Sequence, residues 1–177
     1  MIAAMKSQTG TVGFVGGMDI PLIRKFHGGY EQGAKYVNSN INVLMNMTGT
    51  TPEAWNNPTK GAELTKAQID KGADVVYQAA GGTGIGVLQA AADAGIFGIG
   101  VDANQNYMHP GSVLTSMLKR VDVAVYNAFK STMDGTYETG VFTLGLAEDG
   151  VGWALDEHNE SLITDEMKSK VEQARKD

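Results

Sequence analysis

The sequence of 177 residues contains no cysteine, which rules out disulfide bonds within it and leaves no thiol for a lipid. Absence of cysteine suits an oxidising or a reducing compartment equally, so it does not locate the protein. Histidine is also scarce: His27, His109 and His158 lie far apart in the sequence. Their spacing is not that of a metal site, and we expect them to be structural or solvated.

Positive charge and long apolar runs are limited too. Lys and Arg number 14 against 20 Asp and Glu, and the net charge of −6 argues against a nucleic-acid partner. No stretch approaches the roughly 20 apolar residues that a membrane-spanning helix needs. Residues 1–6 are too short for a signal peptide, so we expect neither an export signal nor an anchor in this sequence.

The residues that are present describe an ordinary globular domain. Hydrophobic residues make up 42% and charged residues 19%, and the length suffices for one domain with a substantial core. Asp19 is placed to cap the first long helix, and Pro21 lies in its first turn. Apolar periodicity predicts strands at residues 11–16, 41–47, 75–77, 96–101 and 112–118, and helices at residues 20–37, 58–71, 87–92 and 120–133. This order predicts an α/β fold with a mostly parallel sheet and helices on both faces.

The C-terminal part follows a different pattern. Residues 141–146 and 151–155 are apolar runs, which we expect to form two strands joined by a turn at residues 147–150. Thr164 is then expected to cap a final helix, whose acidic start and basic end suit the helix dipole. That helix has few apolar positions, which indicates a surface location.

The segment of residues 74–102 holds the strongest functional signal: a strand, a glycine loop, a helix, a second strand and then a single acid. The glycines Gly81, Gly82, Gly84 and Gly86 allow a sharp turn with exposed N–H groups at a helix start. In open α/β sheets, ligands bind beyond the carboxyl ends of the strands, where this loop and Asp102 both fall. The segment predicts a site for a small polar ligand, although the loop alone is equally consistent with a plain tight turn. It is neither a Walker motif nor a dinucleotide fingerprint.

Three further side chains have both a functional and a structural interpretation. Asp102 is either a carboxylate that accepts hydrogen bonds from a diol or a cap of the turn that follows it. Lys119 ends the fifth strand, where it could reach Asp102 or the ligand, or simply be solvated. Trp55 lies in a loop, where it either stacks on a flat ligand or covers the core.

Four segments resemble the basic membrane protein (BMP) family of bacterial lipoproteins. They are residues 12–26 (VGFVGGMDIPLIRKF), 78–84 (QAAGGTG), 100–102 (GVD) and 115–122 (TSMLKRVD). The family includes the purine nucleoside receptor A type, the substrate-binding proteins of nucleoside ABC importers. The resemblance covers nearly the whole chain.

The resemblance implies a periplasmic-binding-protein-like type I lobe. Members of the family are about twice this length, with a signal peptide, a lipobox cysteine and a first lobe that supplies half of the ligand site. We therefore expect residues 10–117 to form the second, ligand-binding lobe. Residues 118–177, a crossover helix, a hairpin and a final helix, are expected to complete the other lobe. The full-length form is expected at the periplasm or cell surface, anchored as a lipoprotein.

The same resemblance implies nucleoside binding, with the base stacked on aromatics and the ribose hydroxyls held by polar groups. Carried over by position, the acid is Asp102, the glycine loop is Gly81–Gly82 and the lysine is Lys119. Gln78, which opens the QAAGGTG motif, joins the candidate ligand-binding residues. The aromatic residue is Trp55, although the family pattern of an aromatic residue followed by Asn, Asp and Pro departs here, with an apparent insertion at residues 51–54.

The expected function is binding without chemistry or cofactor. Two lobes close over a purine nucleoside, and the complex is presented to an ABC permease. The alternatives are a nucleoside-processing enzyme, for which Asp102 alone supplies too few catalytic groups, and a truncated lobe with only an assembly role. Apolar residues on the helix of residues 120–133 and the segment after it further predict a homodimer that exchanges the chain from about residue 118 onward.

Overall fold

A computed structural model describes residues 1–176 and contains a six-stranded sheet between two layers of helices. The strands are β1 (Thr11–Met18), β2 (Asn42–Gly49), β3 (Val75–Ala79), β4 (Phe97–Asp102), β5 (Val113–Lys119) and β6 (Val151–Trp153). The helices are α1 (Ile2–Lys6), α2 (Pro21–Val37), α3 (Pro58–Ile69), α4 (Thr83–Asp93), α5 (Val121–Met133) and α6 (Asp165–Lys176). Short 3₁₀ turns lie at Pro52–Trp55, Asn106–Met108 and Glu160–Leu162.

The sheet is parallel from β1 to β5, in the order β2-β1-β3-β4-β5-β6, and only β6 runs antiparallel to its neighbour β5. The central strands read as continuous apolar runs because helices cover both of their faces. All five residues of β3 are buried. The predicted α/β architecture is therefore confirmed.

The two sides of the sheet bury different clusters. On one side Phe14, Tyr77 and Leu114 pack with apolar residues of α1, α2 and α6. On the other side Val15 and Val76 pack with residues of α3 and α4. Within the first cluster the rings of Phe14 and Tyr77 meet edge to face at 5.5 Å. Burial, with a smaller effect from the charge of Asp102, raises the pKa of the Tyr77 hydroxyl above its usual range.

The start of α2 corrects one sequence-based expectation. Asp19 does not cap the helix, because Ile20 occupies the N-cap position and makes no side-chain cap bond. The Asp19 carboxylate instead accepts two hydrogen bonds from Arg24, at 2.7 and 2.8 Å. Pro21 does occupy the first turn, as predicted. The helix α1, which the sequence analysis did not predict, packs against α2 and α6 through Ile2 and Ala3.

The expected hairpin in the C-terminal part is wrong in its first half. Residues 141–146 form no strand, and Val141 and Phe142 are exposed. β-propensity alone does not make a strand, which needs a neighbouring backbone to pair with, and β6 pairs only with β5 in the described part of the chain. Thr164 does cap α6, since its hydroxyl accepts a hydrogen bond from the Met167 amide at 3.2 Å.

Residues beyond the crossover helix return to the same sheet. β6 pairs with the end of β5, and Ile163 and Met167 enter the core beside α2. Helix α5 stands apart, because none of its 13 residues is buried. The expected domain boundary at residue 117 stays a prediction.

Candidate functional site

A small cavity lies at the carboxyl edge of the sheet, where β3, β4 and β5 end. Its volume is about 150 Å³. It is lined by residues from α2, the 3₁₀ turn at Pro52–Trp55, the glycine loop and the strand ends: Leu22, Ile23, Phe26, Trp55, Ala79, Gly81, Val101, Asp102 and Lys119. The cavity thus brings together four of the six residues predicted from sequence. It also contains apolar residues of α2 that the sequence analysis placed only on the packing face of a helix.

Asp102 and Lys119 form an ion pair at this edge. Lys119 Nζ lies 3.0 Å from Asp102 Oδ1, and the two side chains are 43% and 55% exposed. They meet because β4 and β5 are adjacent parallel strands whose ends are in register, with Asp102 opposite Leu118. Lys119 Nζ also lies 5.1 Å from the centre of the Phe26 ring. The cavity therefore has a fixed positive and a fixed negative group on one wall.

The turn after β4 does not depend on the Asp102 carboxylate. Asn104 Oδ1 accepts a hydrogen bond from the Asn106 amide, and Gln105 Oε1 accepts one from the Val101 amide. The Gln105 amide donates to the Ser116 hydroxyl at 3.0 Å. Because these side chains hold the turn, the carboxylate of Asp102 is left to Lys119 and the cavity.

Asp102 has an unusual backbone for a residue with a side chain. Its φ is +66°, in the left-handed region that favours glycine. Such a conformation costs roughly 1–3 kcal/mol and concentrates at ligand sites. Asp tolerates this conformation better than most residues with a side chain, although glycine would adopt it at less cost. The position therefore has a carboxylate where the backbone alone would favour glycine.

The glycine loop lies against the Trp55 segment. Gly81 has φ +57°, and a Cβ there would meet the Trp55 carbonyl oxygen at 3.3 Å. Gly82 is the N-cap of α4 and lies against the Trp55 carbonyl oxygen and Asn56, outside the cavity lining. The Thr83 hydroxyl joins the two segments, because it donates to the Ala54 carbonyl and accepts from the Asn57 amide, both at 2.7 Å. Thr83 is a supporting residue that the sequence analysis missed.

The last two glycines of the loop serve packing rather than ligand contact. A Cβ on Gly84 would overlap the side chain of Gln78, and one on Gly86 would overlap the Pro58 carbonyl. Glycine at these positions lets α4 approach β3 and α3 closely. The glycine-rich sequence therefore combines a turn near the cavity with two close helix contacts.

Gln78 lies behind the cavity and not on its wall. It is fully buried, its Nε2 donates to Gln105 Oε1 at 2.7 Å, and its Oε1 accepts from the Ala80 amide at 3.1 Å. Since Gln105 Oε1 also accepts from Val101, Gln78 links the ends of β3 and β4. The structure does not bring its side chain to the ligand-binding surface.

Trp55 covers the core, as one of its two interpretations predicts, and its stacking on a ligand stays a prediction. Its ring covers Gly17, where a Cβ would overlap it, and the residue is half-buried against the core. The same residue lines the cavity that Asp102 and Lys119 also line. Thr48 steadies the segment by donating to the Ala54 carbonyl at 2.9 Å.

A second, larger cavity of about 570 Å³ lies on the α2 side of the sheet. Its lining is mainly apolar and comes from α1, α2, α6 and the strands β3 to β6, with Tyr30, Ile99, Met117 and Trp153 among the residues. Phe26 and Lys119 line both cavities. The larger cavity is less suited to a polar ligand, because it offers few hydrogen-bonding groups.

Other chemistry finds little support in the residues that the structure describes. Among residues 1–176, no three His, Asp or Glu side chains are grouped so that they could hold a metal ion. Over the same residues, no helix is long and apolar enough to cross a membrane.

The fold is that of one lobe of a periplasmic-binding-protein-like protein. The family model described as ABC transporter substrate-binding protein PnrA-like matches residues 1–177, and the chain belongs to that family. This membership confirms the resemblance inferred from sequence and the expectation of a binding protein rather than an enzyme.

Relatives of known sequence agree with this assignment. Basic membrane protein D of Borreliella burgdorferi is 39% identical over 167 residues, which cover 90% of this chain and 47% of the relative. A protein of Pyrococcus horikoshii described as an uncharacterized lipoprotein is 41% identical, with 82% of this chain and 38% of the relative covered. The ABC transporter nucleoside-binding protein BmpA of Lactococcus lactis is 34% identical, with 99% and 52% covered. The chain spans about half the length of the curated relatives it matches.

Solved structures show the same lobe. An ABC transporter solute-binding protein from Aeropyrum pernix superposes with a TM-score of 0.75 at 33% identity, covering 97% of this chain and 50% of that one. A protein of Bacillus halodurans described as a transcriptional activator of the comK gene has a TM-score of 0.85 at 26% identity, with 99% and 58% covered. The architecture predicted from sequence is thus shared by proteins about twice as long.

Proposed function

We propose that this lobe binds a purine nucleoside as one wall of the ligand cleft of an ABC importer's substrate-binding protein. The observation that carries the proposal is the Asp102–Lys119 pair at the strand ends, which shares a cavity with Trp55. A carboxylate and an ammonium suit the hydroxyls of a sugar, and an indole suits a flat base. The relative described as a nucleoside-binding protein supports the same ligand class.

Each residue then has a distinct task in binding. Asp102 accepts hydrogen bonds from two ribose hydroxyls, as acids at strand ends do for diols. Lys119 donates to a ribose oxygen and pairs with Asp102. The N–H group of Gly81 donates to the ligand, and the ring of Trp55 stacks on the base. Gly82, outside the cavity lining, lies against the Trp55 carbonyl and Asn56 and supports the loop. Gln78 contributes by holding the strand ends together.

The small volume of the cavity indicates that the lobe alone binds its ligand weakly. Sites that enclose a drug-sized ligand have volumes of roughly 300–1,000 Å³, whereas this one has about 150 Å³. The lobe therefore offers half of a site, and a second lobe must close over the ligand to exclude water. We expect the chain alone to bind nucleosides weakly, because exposed hydrogen bonds compete with water.

The wider role follows from the family. In the whole protein, closure of two lobes over the nucleoside gives the form that is presented to the permease, with no chemical step. We place that protein at the periplasm or cell surface as a lipoprotein, a location supported by the relative described as a lipoprotein. The rival proposal of a lobe with only an assembly role predicts no response to nucleosides.

We also propose that the chain forms a homodimer through α5 and the segment of residues 134–149. Large apolar side chains are exposed along this region: Val121, Val125, Tyr126, Phe129, Met133, Tyr137, Val141, Phe142 and Leu146. Such a surface seldom stays exposed to water. Because β6 and α6 pack on the chain's own sheet, we expect the two copies to meet through α5 and residues 134–149, and not to exchange the chain from about residue 118 onward as the sequence analysis expected.

The ligand proposal is tested by titrating the ¹⁵N-labelled chain with guanosine, inosine and adenosine at millimolar concentration. We expect saturable shifts of the amide signals of Gly81, Gly82 and Asp102, with smaller shifts for free ribose. Tyr107, exposed on a 3₁₀ turn outside the cavity, provides an internal control whose signal should stay still. Shifts that appear only with amino acids, or none with any nucleoside, would contradict the proposal.

A further inference from the structure

Phe26 lies where the two cavities meet. It is on the face of α2 that turns toward the sheet, it is half-buried, and its ring lines both the 150 Å³ and the 570 Å³ cavity. Among residues 1–176, Lys119 is the only other one that lines both. The long, flexible side chain of Lys119 thus has two spaces open to it, of which only one contains Asp102.

The ammonium of Lys119 is held by two contacts of different kinds. Asp102 Oδ1 lies 3.0 Å from Nζ, and the centre of the Phe26 ring lies 5.1 Å from it. A cation within about 6 Å of a ring centre is attracted by the negative face of the ring. The contact survives when a ligand competes for Asp102, because the ring makes no hydrogen bond that the ligand could replace.

We propose that Phe26 is a positioning residue for ligand recognition, which holds the Lys119 ammonium on the Asp102 side of the cavity through the face of its ring. This inference rests on the nucleoside function proposed above and adds a residue that touches Lys119 rather than the sugar. Without the ring, the lysine is free to turn toward solvent or the larger cavity, and ligand binding must then reorder a side chain with many rotamers.

The aromatic ring is required, and not merely an apolar side chain of similar size. Leucine at position 26 would still separate the cavities, but it has no quadrupole to attract an ammonium. Tryptophan would keep and strengthen the attraction. Tyr36, an exposed aromatic residue on the same helix, provides a matched control because it lines neither cavity.

The contact itself is tested without ligand, by proton NMR of the Lys119 side chain. A methylene beside the face of an aromatic ring is shifted upfield by the ring current. We expect an upfield shift of the Lys119 ε-protons that is lost in Phe26→Leu, kept in Phe26→Trp and unchanged in Tyr36→Leu. An unshifted Lys119 signal in the wild-type chain, or the same shift in Phe26→Leu, would overturn the proposal.

The role in binding is tested by a double-mutant cycle with guanosine as the probe. Phe26→Leu should weaken binding about two- to five-fold, which corresponds to roughly 0.5–1 kcal/mol for an exposed cation–π contact. In a Lys119→Ala background the same change should have no further effect, and Phe26→Trp should restore wild-type affinity. An equal loss of guanosine affinity in both backgrounds would overturn the proposal, because Phe26 would then act only as a wall of the cavity and not through Lys119.

The two experiments separate this inference from the function on which it rests. A wild-type chain that keeps the ring-current shift but does not respond to guanosine would refute the nucleoside assignment, and with it any role of Phe26 in nucleoside recognition. A chain that binds guanosine but shows no shift would refute the role of Phe26 alone.

Discussion

At the scale of single residues, Asp102 combines a costly backbone with an exposed charge. Its left-handed φ is unfavourable for a residue other than glycine. Its surface ion pair with Lys119 stabilises the folded state by only about 0–1 kcal/mol, so the net benefit to stability is small. The turn that follows is held by Asn104 and Gln105 instead. The stability that it provides therefore does not account for the carboxylate, and its proposed role in ligand binding is the explanation to test.

Replacing Asp102 with Asn tests this explanation. Asn tolerates the left-handed conformation and has the same shape, but it carries no charge. We expect Asp102→Asn to weaken guanosine binding by about 1.5–3 kcal/mol, the usual range for a hydrogen bond to a charged group. The melting temperature should change by no more than about 4 °C, because only the exposed pair with Lys119 is lost.

Calorimetric unfolding and the NMR titration together measure both quantities on one sample. Asp134→Asn is the matched control, since Asp134 forms a comparable exposed pair with Lys130 and neither residue lines a cavity. It should leave guanosine binding unchanged. A large loss of stability with unaltered binding in Asp102→Asn would restore the interpretation of Asp102 as a turn cap.

At the scale of secondary-structure elements, the sequence predicted best the parts whose partners lie nearby in the chain. The five parallel strands and the helices α2 to α4 form near the expected positions, because their apolar periodicity matches layers that the same chain supplies. Helix α5 also forms near its expected position, although none of its residues is buried. Helix α1 was missed because five residues are too few to show a period. The strand expected at residues 141–146 was wrong. Its C-terminal end enters a turn instead, in which the Gly150 amide donates to the Gly145 carbonyl at 2.8 Å.

The sequence predicted the candidate-site residues that lie at the ends of parallel strands, where ligands bind in α/β folds. Asp102 and Lys119 end adjacent strands, and parallel topology then brings them together. Gln78 could not be distinguished from a ligand contact, because its neighbours in sequence do not reveal that it points behind the strand ends. Phe26 was not predicted as a site residue, because an apolar residue at helical spacing is typical of a helix face that packs on the core.

Two glycines with contrasting surroundings test how the glycine loop joins its helices. A Cβ on Gly86 would overlap the Pro58 carbonyl in the contact between α4 and α3, whereas a Cβ on Gly28 in α2 would meet nothing within 4 Å. Gly86→Ala should therefore destabilise the chain by about 1–3 kcal/mol through overpacking. Gly28→Ala should stabilise it by about 0.5–1 kcal/mol, because alanine favours a helix over glycine.

Chemical denaturation of the two variants measures these opposite effects. The free energy of unfolding should fall in Gly86→Ala and rise in Gly28→Ala. Both substitutions add the same methyl group to a helix, so opposite signs must come from the surroundings of the two glycines. If Gly86→Ala were as stable as Gly28→Ala, α3 and α4 would not be as closely packed as the structure has them, and the glycines of the loop would need a functional explanation instead.

At the scale of the whole molecule, α5 is a helix whose apolar side chains are not covered by the described part of the chain. None of its 13 residues is buried, and Phe129 and Met133 are 69% and 86% exposed. An isolated helix of this length is marginal in water, so most of its stability must come from packing. The described part of the chain supplies no surface that covers it, which is why we expect another polypeptide to do so.

We therefore predict that the chain associates with a second copy at micromolar concentration. Light scattering should give about 38 kDa, twice the 18.8 kDa of one chain. The double substitution Val125→Glu and Phe129→Glu places two charges on the exposed face of α5 and should reduce the mass to that of a monomer. Tyr36→Glu, a charge on an exposed aromatic residue of α2, should leave the dimer intact. A wild-type monomer whose α5 amides exchange slowly with solvent would instead mean that α5 is covered by its own chain, and the predicted dimer would be wrong.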